Sequence, residues 1–322
     1  MRAVQVSQYG GPDVLVPVEL ADPQAEAGEV IVRTAAIDTI YLETQIRGGW
    51  GEMFGVTLPY VPGGAAAGTV VSVGPDVEAS WQGRRVLVGV GTQGAYAELV
   101  RAGIDQLVPV PDGLGLREAA ALAHDGVTGM GILEAMAIKP SERVLILGAA
   151  GGMGTLLVQL AHGAGAHVIG AARGAEKLGL VDRLGADTVV DYSEDGWIER
   201  VRDALDGQDL DVLLDGVGGE LGTAAFGLVG RGGRVSAHGA ASGDFAELDE
   251  TQVRDRGILV RGIEDVQFDP PEAARLAARA LDEAAAGRMR PVIGREFALS
   301  DAAEAHRAIE ARSIPGKALL IP

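Results

Sequence analysis

The sequence predicts an α/β protein that combines a doubly wound parallel sheet with a partly open, barrel-like β domain. Strands and helices alternate between residues 122 and 290, which is the pattern of a parallel sheet with crossover helices. Short strands separated by Gly and Pro dominate residues 1–121 and favour a barrel-like β domain. Residues 291–322 are expected to return to that first domain.

The individual elements follow from the local patterns. In the β domain, alternating or continuous apolar residues predict strands at 3–6, 29–36, 68–73, 85–90, 96–100 and 106–109. In the second domain, buried strands are expected at 144–147, 167–172, 188–192, 210–217, 233–239 and 257–263, with helices at 176–184, 197–205 and 221–229. A long Ala-rich helix is expected at 271–289, followed by strands at 291–297 and 318–321 around a helix at 300–311.

Composition excludes several functional classes. The 322-residue chain carries a net charge of −18, which repels nucleic acid and anionic membranes. It contains no cysteine, so it has no disulfide, no thiolate nucleophile and no Cys-ligated zinc. Its five histidines form no His-x-x-x-His pair, and we expect no metal site. No signal peptide or membrane-spanning run is evident, which predicts a cytoplasmic protein.

One stretch, Val144–Gly154, carries the strongest functional signal. Four apolar residues are followed by a small-residue turn and then a helical pattern, so free backbone N–H groups and a helix N-terminus would meet at one point. The turn matches a dinucleotide fingerprint whose first glycine is replaced by alanine. We expect it to bind a cofactor pyrophosphate, the alternative being a purely structural turn. Its residues are Ala149, Ala150, Gly151, Gly152, Met153 and Gly154.

The end of the second strand indicates which nicotinamide cofactor is bound. NAD-binding folds usually place an acidic residue there to hold the ribose 2′-hydroxyl. Here Ala172 takes that place and Arg173 follows it, with Lys177 on the next helix. A 2′-phosphate can therefore enter and bind the planar guanidinium of Arg173. NADPH is the expected cofactor, unless both cations are ordinary solvated charges.

Several short motifs in a shared order make the chain resemble the zinc-free quinone oxidoreductase family of the medium-chain dehydrogenase/reductase superfamily. They are Gly10–Leu15, Gly94–Glu98, the fingerprint turn, Leu184–Asp187 with Asp191–Tyr192, Asp215–Gly219, Gly232–Arg234 and Gly316–Lys317. The resemblance implies a Rossmann domain with a GroES-like catalytic domain. It also implies metal-independent, NADPH-dependent reduction of a quinone or related α,β-unsaturated carbonyl by a homodimer.

The resemblance also suggests cofactor contacts. It implies that Lys177 and Tyr192 contact the 2′-phosphate and that Thr128 lies beside the nicotinamide, although Thr128 equally suits a helix cap. Small residues after two strands, Val217, Gly218, Gly239, Ala240 and Ala241, would allow close approach of the nicotinamide ring, or form plain turns. Lys317 could reach the pyrophosphate.

Four residues are candidates for the catalytic side. Asp38 stands where the family usually has Asn; it could accept a ribose hydroxyl, donate a proton if burial raised its pKa, or simply cap a segment. Tyr41 could donate to a substrate oxygen or pack as a core aromatic. His124 is a further candidate, although a lone His is more often packed than catalytic. Trp50 suits stacking on a flat substrate.

Two departures from the family keep other functions open. Ala65 replaces a usual Glu, which puts the family's substrate in doubt. An enoyl-thioester reductase of a biosynthetic pathway is one alternative, although Trp50 falls where such enzymes carry a tyrosine proton donor and Trp cannot donate an acidic proton. A non-catalytic NADPH-binding sensor is the other.

Overall fold

The computed structural model describes residues 1–322 as fifteen strands and ten α-helices. The strands are β1 (Arg2–Gln5), β2 (Val16–Glu19), β3 (Glu29–Asp38), β4 (Ala65–Val73), β5 (Arg85–Gly89), β6 (Leu99–Gly103), β7 (Leu107–Pro109), β8 (Arg143–Leu147), β9 (His167–Ala172), β10 (Thr188–Asp191), β11 (Leu210–Asp215), β12 (Val229–Ala237), β13 (Leu259–Arg261), β14 (Ile293–Ala298) and β15 (Lys317–Ile321). The helices are α1 (Tyr41–Gln45), α2 (Leu116–Ala121), α3 (Asp125–Met136), α4 (Gly152–Gly163), α5 (Ala175–Arg183), α6 (Trp197–Ala204), α7 (Gly219–Phe226), α8 (Glu250–Arg256), α9 (Pro270–Ala285) and α10 (Ala302–Glu310).

These elements form two compact units. Unit 1 comprises residues 1–127 and 270–322, and unit 2 comprises residues 128–269. This division differs from the predicted boundaries after residues 121 and 290. The main difference is helix α9, which was expected in the second domain but contacts β7 of unit 1. Ala280 of this helix also lies close to Gly126 of unit 1. A Cβ added to Gly126 would lie 2.9 Å from the Cβ of Ala280.

Unit 2 contains a six-stranded sheet in the order β10-β9-β8-β11-β12-β13. Every pairing in it is parallel. Strand order reverses between β8 and β11, which is the doubly wound Rossmann order with its ligand crevice at the carboxyl ends of the strands. The predicted fold class is confirmed, and each of the six predicted strands is present.

The continuous apolar runs of these strands are explained by burial on both faces of the sheet. Along β8, Val144 and Ile146 belong to one apolar cluster, whereas Leu145 and Leu147 belong to another. Successive side chains of a strand point to opposite faces, so each face has its own layer of helices to cover it. The two cores hold the carboxyl ends of the strands in place.

Unit 1 is built on a seven-stranded sheet in the order β14-β15-β3-β4-β5-β7, with β6 also paired to β3. Its pairings are antiparallel except that of β14 with β15. The long strand β3 pairs with β6 through its first half and with β15 through its last residues. Register shifts at Ile31/Val32 and Thr34/Ala36 bend it, as β-bulges do.

Some elements among the first 136 residues were not predicted. Strand β2 and helices α1, α2 and α3 have no counterpart in the sequence-based assignment, because α1 is only five residues long and α3 contains three glycines that disfavour a helix. The strand expected at 96–100 begins at Leu99 instead. Tyr96 and Ala97 turn towards β1, where Val4 N–H donates to the Tyr96 carbonyl at 2.9 Å.

Strand β4 leaves no room for a side chain at Gly68. A Cβ there would lie 2.1 Å from the backbone oxygen of Arg33 in the paired strand β3. We expect Gly68→Ala to lower the free energy of unfolding by about 1–3 kcal/mol, because the two backbones must separate. Urea unfolding measures it. Gly89→Ala in the neighbouring strand β5 is the control, since a Cβ there meets nothing within 4 Å; equal losses in both variants would contradict the steric explanation.

Candidate active site

The fingerprint turn of unit 2 has the geometry of a phosphate cradle. Helix α4 begins at Gly152 with Gly151 as its N-cap, and no side chain caps it, so first-turn N–H groups remain available to an anion. A Cβ on Gly154 would lie 2.2 Å from the Gly148 oxygen, so only glycine lets the helix pack this tightly on the turn. Ala149 and Ala150 are buried in the core. Gly151, Gly152 and Met153 are partly or fully exposed.

A second group of residues lies at the carboxyl ends of β9 and β10. Arg173 is exposed directly after β9, and Lys177 lies in the first turns of α5. The carboxylate of Asp191 at the end of β10 accepts a hydrogen bond from Gly174 N–H at 2.8 Å. It also accepts hydrogen bonds from Ser193. Partial burial raises the pKa of Asp191, but the hydrogen bonds from Ser193 and Gly174 outweigh it and lower that pKa. Asp191 therefore braces the turn that carries Arg173; Tyr192 follows it, half-buried against the core.

The residues expected near the nicotinamide gather at the ends of β11 and β12. The buried carboxylate of Asp215 accepts hydrogen bonds from the N–H groups of Val217 (2.9 Å) and Gly218 (2.8 Å). A Cβ on Gly239 would lie 2.2 Å from the Gly216 oxygen, so the two backbone segments are in close approach. Ala240 and Ala241 are half-buried beyond them, and Thr128 lies in helix α3 rather than at its cap.

Unit 1 contains a connected group of four ionisable side chains, of which Asp38 and Lys317 are buried. Asp38 ends strand β3 with no exposed surface, and its Oδ2 lies 2.7 Å from Nδ1 of His124. Its Oδ1 lies 2.7 Å from Nζ of Lys317, which is also 3.2 Å from Oδ2 of Asp125. The His124 side chain is 30% exposed and its Nε2 forms no hydrogen bond within the protein. A buried carboxylate therefore orients a partly exposed imidazole.

The opposite charges within this group of four side chains stabilise one another. Burial favours the neutral acid of Asp38, but the Lys317 ammonium and His124 outweigh it and lower the pKa of Asp38. Burial likewise opposes a charged imidazole, but the hydrogen bond that Nδ1–H donates to Asp38, together with the negative charge of Asp38, raises the pKa of His124 above its ordinary value. Burial raises the pKa of Asp125. These directions do not support Asp38 as a proton donor; they favour His124 in that role.

Lys317 is buried and forms two ion pairs within unit 1. It was expected to reach a pyrophosphate, yet it is only 5% exposed and pairs with two carboxylates of its own unit. A buried ammonium needs such compensation, because desolvating an unpaired charge is costly. Its position at the start of β15, the strand that pairs with the end of β3, brings it to Asp38.

Tyr41 and Trp50 lie on the segment that follows β3. The Arg312 guanidinium stacks over the Tyr41 ring, with its carbon 3.8 Å from the ring centroid. Trp50 ends a short π-helical turn at Ile46–Trp50 and is 47% exposed, which leaves its indole accessible. Ala65 is buried at the start of β4.

A second buried polar group was not predicted. The Glu43 carboxylate accepts hydrogen bonds from the Tyr96 hydroxyl at 2.7 Å and from Gly64 N–H at 3.1 Å. The same hydroxyl lies 3.0 Å from Nε2 of His306. Glu43 is only 4% exposed, and burial raises its pKa. Nothing in the local sequence pattern marks these residues, because the three side chains come from widely separated elements.

The chain has no group of three or more His, Asp and Glu side chains arranged to hold a metal ion. None of its helices combines the length and the apolar character that a membrane span requires.

Comparisons with known proteins agree with this fold. Residues 26–112 match the model of the alcohol dehydrogenase GroES-like domain, and residues 152–278 match that of the zinc-binding dehydrogenase family. The chain is 33% identical to a quinone oxidoreductase of Pseudomonas aeruginosa, covering 100% of this chain and 99% of that protein. It is 30% identical to a quinone oxidoreductase of Sus scrofa, covering 100% and 98%.

Solved structures give the same result. Escherichia coli quinone oxidoreductase complexed with NADPH superposes with a TM-score of 0.91 at 27% identity, covering all of both chains. A mycobacterial protein complexed with NADPH superposes with a TM-score of 0.90 at 32% identity, again over both full lengths. The chain is therefore an oxidoreductase, and it belongs to the quinone oxidoreductase family of the medium-chain dehydrogenase/reductase superfamily.

Proposed function

We propose that this NADPH-dependent oxidoreductase reduces a quinone or a related α,β-unsaturated carbonyl, and that His124 donates the proton that completes the reduction. The observation that carries the proposal is the 2.7 Å contact between the His124 imidazole and the buried Asp38 carboxylate. A base oriented by a buried acid, with its second nitrogen unpaired, is the arrangement that proton-transfer catalysts share.

The residues of unit 2 fit the cofactor. The uncapped N-terminus of α4 suits a pyrophosphate, and Gly154 permits the tight turn that presents it. Arg173 and Lys177 would hold the 2′-phosphate, with Tyr192 beside them. The N–H groups that Asp215 orders would keep Val217 and Gly218 in a fixed backbone position against the nicotinamide half. NADPH, when bound, supplies the hydride.

The balance of the reaction defines what His124 does. A quinone, NADPH and one proton give a hydroquinone and NADP⁺, and the substrate oxygen gains negative charge as the hydride arrives. His124 Nε2–H would donate its proton to that oxygen and return to the neutral imidazole. Asp38 stays ionised throughout, because Lys317 balances its charge. Asp38 is thus a positioning residue rather than the acid.

The substrate class is supported by an accessible aromatic surface. Trp50 is 47% exposed and offers a flat indole for stacking, which suits a planar, electron-poor ring. Tyr41 remains a candidate donor to a substrate oxygen, although the Arg312 cation covers one face of its ring. The homodimer that the family resemblance implies stays a prediction.

Steady-state oxidation of NADPH with three acceptors tests the proposed function. A benzoquinone, a simple enone and an enoyl-CoA thioester would be compared at equal concentration. We expect kcat/KM for the quinone to exceed that for the thioester by roughly tenfold or more, because Trp50 supplies stacking that a thioester chain lacks. A preference for the thioester would favour an enoyl reductase. Tight NADPH binding without turnover of any acceptor would favour a sensor.

Arg173 provides a test of the phosphate pocket. We expect Arg173→Ala to raise the Kd for NADPH roughly tenfold or more and to leave the Kd for NADH nearly unchanged, because a charged hydrogen bond to the 2′-phosphate is lost. Isothermal titration calorimetry measures both constants. Arg183→Ala removes the same charge from the far end of helix α5 and is the control. Equal losses for both cofactors would remove Arg173 from the pocket.

The pH dependence of turnover tests the Asp38–His124 pair. His124 is an acid only below its pKa, which Asp38 raises, so kcat/KM with the quinone should fall as pH increases through that raised value. Asp38→Asn removes the charge that raises it, so the fall should move to lower pH. At pH 8 we expect Asp38→Asn to lower kcat/KM by roughly 100-fold.

The control for this experiment is the NADPH affinity of Asp38→Asn, measured by calorimetry. Unit 2 contains the fingerprint turn and none of the four ionisable residues of unit 1. The Kd of Asp38→Asn for NADPH should therefore equal that of the wild type. A pH profile that is superimposable on that of the wild type would exclude His124 as the donor.

A further inference from the structure

A histidine with one unpaired nitrogen lies at the carboxyl end of the central sheet of unit 2. His238 directly follows β12 and is 6% exposed. Its Nδ1 lies 3.0 Å from the Ser236 hydroxyl oxygen, which fixes the orientation of the ring. Its Nε2 has no hydrogen-bond partner in the protein. A ligand that supplies a hydrogen bond to this nitrogen gains affinity, because the ring is already held in one orientation.

Nε2 of His238 lies beside Gly216, a residue without a side chain. A Cβ on Gly216, the residue after β11, would lie 3.3 Å from Nε2. The N–H groups of both His238 and Gly239 donate to the Asp215 carbonyl oxygen, at 3.1 and 3.0 Å, which holds the ends of β11 and β12 together. The nitrogen is therefore at the ligand edge of the sheet, beside backbone that a planar group can approach.

The charge state of His238 suits the nicotinamide. Burial lowers the pKa of His238 to about 4, so the ring is neutral near pH 7. A neutral imidazole does not repel the positive ring of the oxidised cofactor. In one tautomer Nε2 accepts a hydrogen bond and in the other it donates one, and a carboxamide offers both complementary groups.

The order of sites along the sheet sets which half of the cofactor lies here. The fingerprint turn follows β8, and Arg173 follows β9 on one side of it. With the 2′-phosphate at Arg173 and the pyrophosphate at α4, the nicotinamide half extends the other way, towards the ends of β11 and β12. His238 follows β12.

We propose that Nε2 of His238 hydrogen-bonds the carboxamide of the nicotinamide and fixes the rotation of that ring. This inference rests on the proposed use of NADPH and adds a residue to its site. The competing explanation is that His238 only fills space in the core. The two differ in one respect: a space-filling ring can be replaced by another ring of similar size without loss of cofactor affinity.

Calorimetric titration of the intact chain with two ligands separates the explanations. One ligand is NADPH and the other is 2′-phospho-ADP-ribose, which lacks the nicotinamide. We expect His238→Phe, which keeps a ring but removes both nitrogens, to raise the Kd for NADPH roughly tenfold and to leave the Kd for 2′-phospho-ADP-ribose unchanged. His238→Gln, which keeps a polar amide, should lose less, and circular dichroism checks that both variants fold.

Failure of this inference and failure of the proposed function give different results in this experiment. An unaltered NADPH constant in His238→Phe, or parallel losses for both ligands in the two variants, overturns the inference while the function stands. A wild-type protein that binds neither ligand overturns the proposed function together with this inference.

Discussion

The carboxylate of Asp38 is buried without exposed surface, and two basic groups share its charge. Burying one ion is costly, and removing any one partner would leave an uncompensated charge. Lys317 meets this constraint from strand β15 and itself requires a second carboxylate, Asp125. The pairing of β15 with the end of β3 brings these groups together. The orientation of His124 and its proposed role as proton donor depend on this arrangement.

Unit 2 follows a different principle, because its proposed cofactor site is built mainly from backbone groups rather than from buried charges. Its close approaches at Gly154 and Gly239 leave main-chain groups accessible at the strand ends. A chain with net charge −18 repels an anionic cofactor at long range, so local cations must offset that repulsion. Arg173 and Lys177, near the end of the second strand, are the cations that we propose for this task. The Asp191 carboxylate at the end of the next strand accepts a hydrogen bond from Gly174 N–H.

The features that could be predicted are those that a short stretch of sequence determines. Apolar runs gave all six strands of the parallel sheet, and the small-residue turn after Val144–Leu147 indicated the phosphate cradle, because both signals lie within a short stretch. Contacts between side chains that are far apart in the sequence were not predicted. Lys317 was assigned to a pyrophosphate since nothing near it in sequence reveals Asp38 or Asp125 as partners. Glu43 and His238 were missed for the same reason, although His238 stands immediately before the conspicuous Gly239.

The most direct test of the central claim is an NMR titration of the His124 imidazole in the protein without cofactor, assigned by comparison with His124→Gln. We expect a pKa above the ordinary value of 6.5 and a low-field Nδ1–H signal from the hydrogen bond to Asp38. A pKa at or below 6.5, with no such signal, would contradict it: His124 would then be neutral at pH 7, and the proton would have to come from elsewhere.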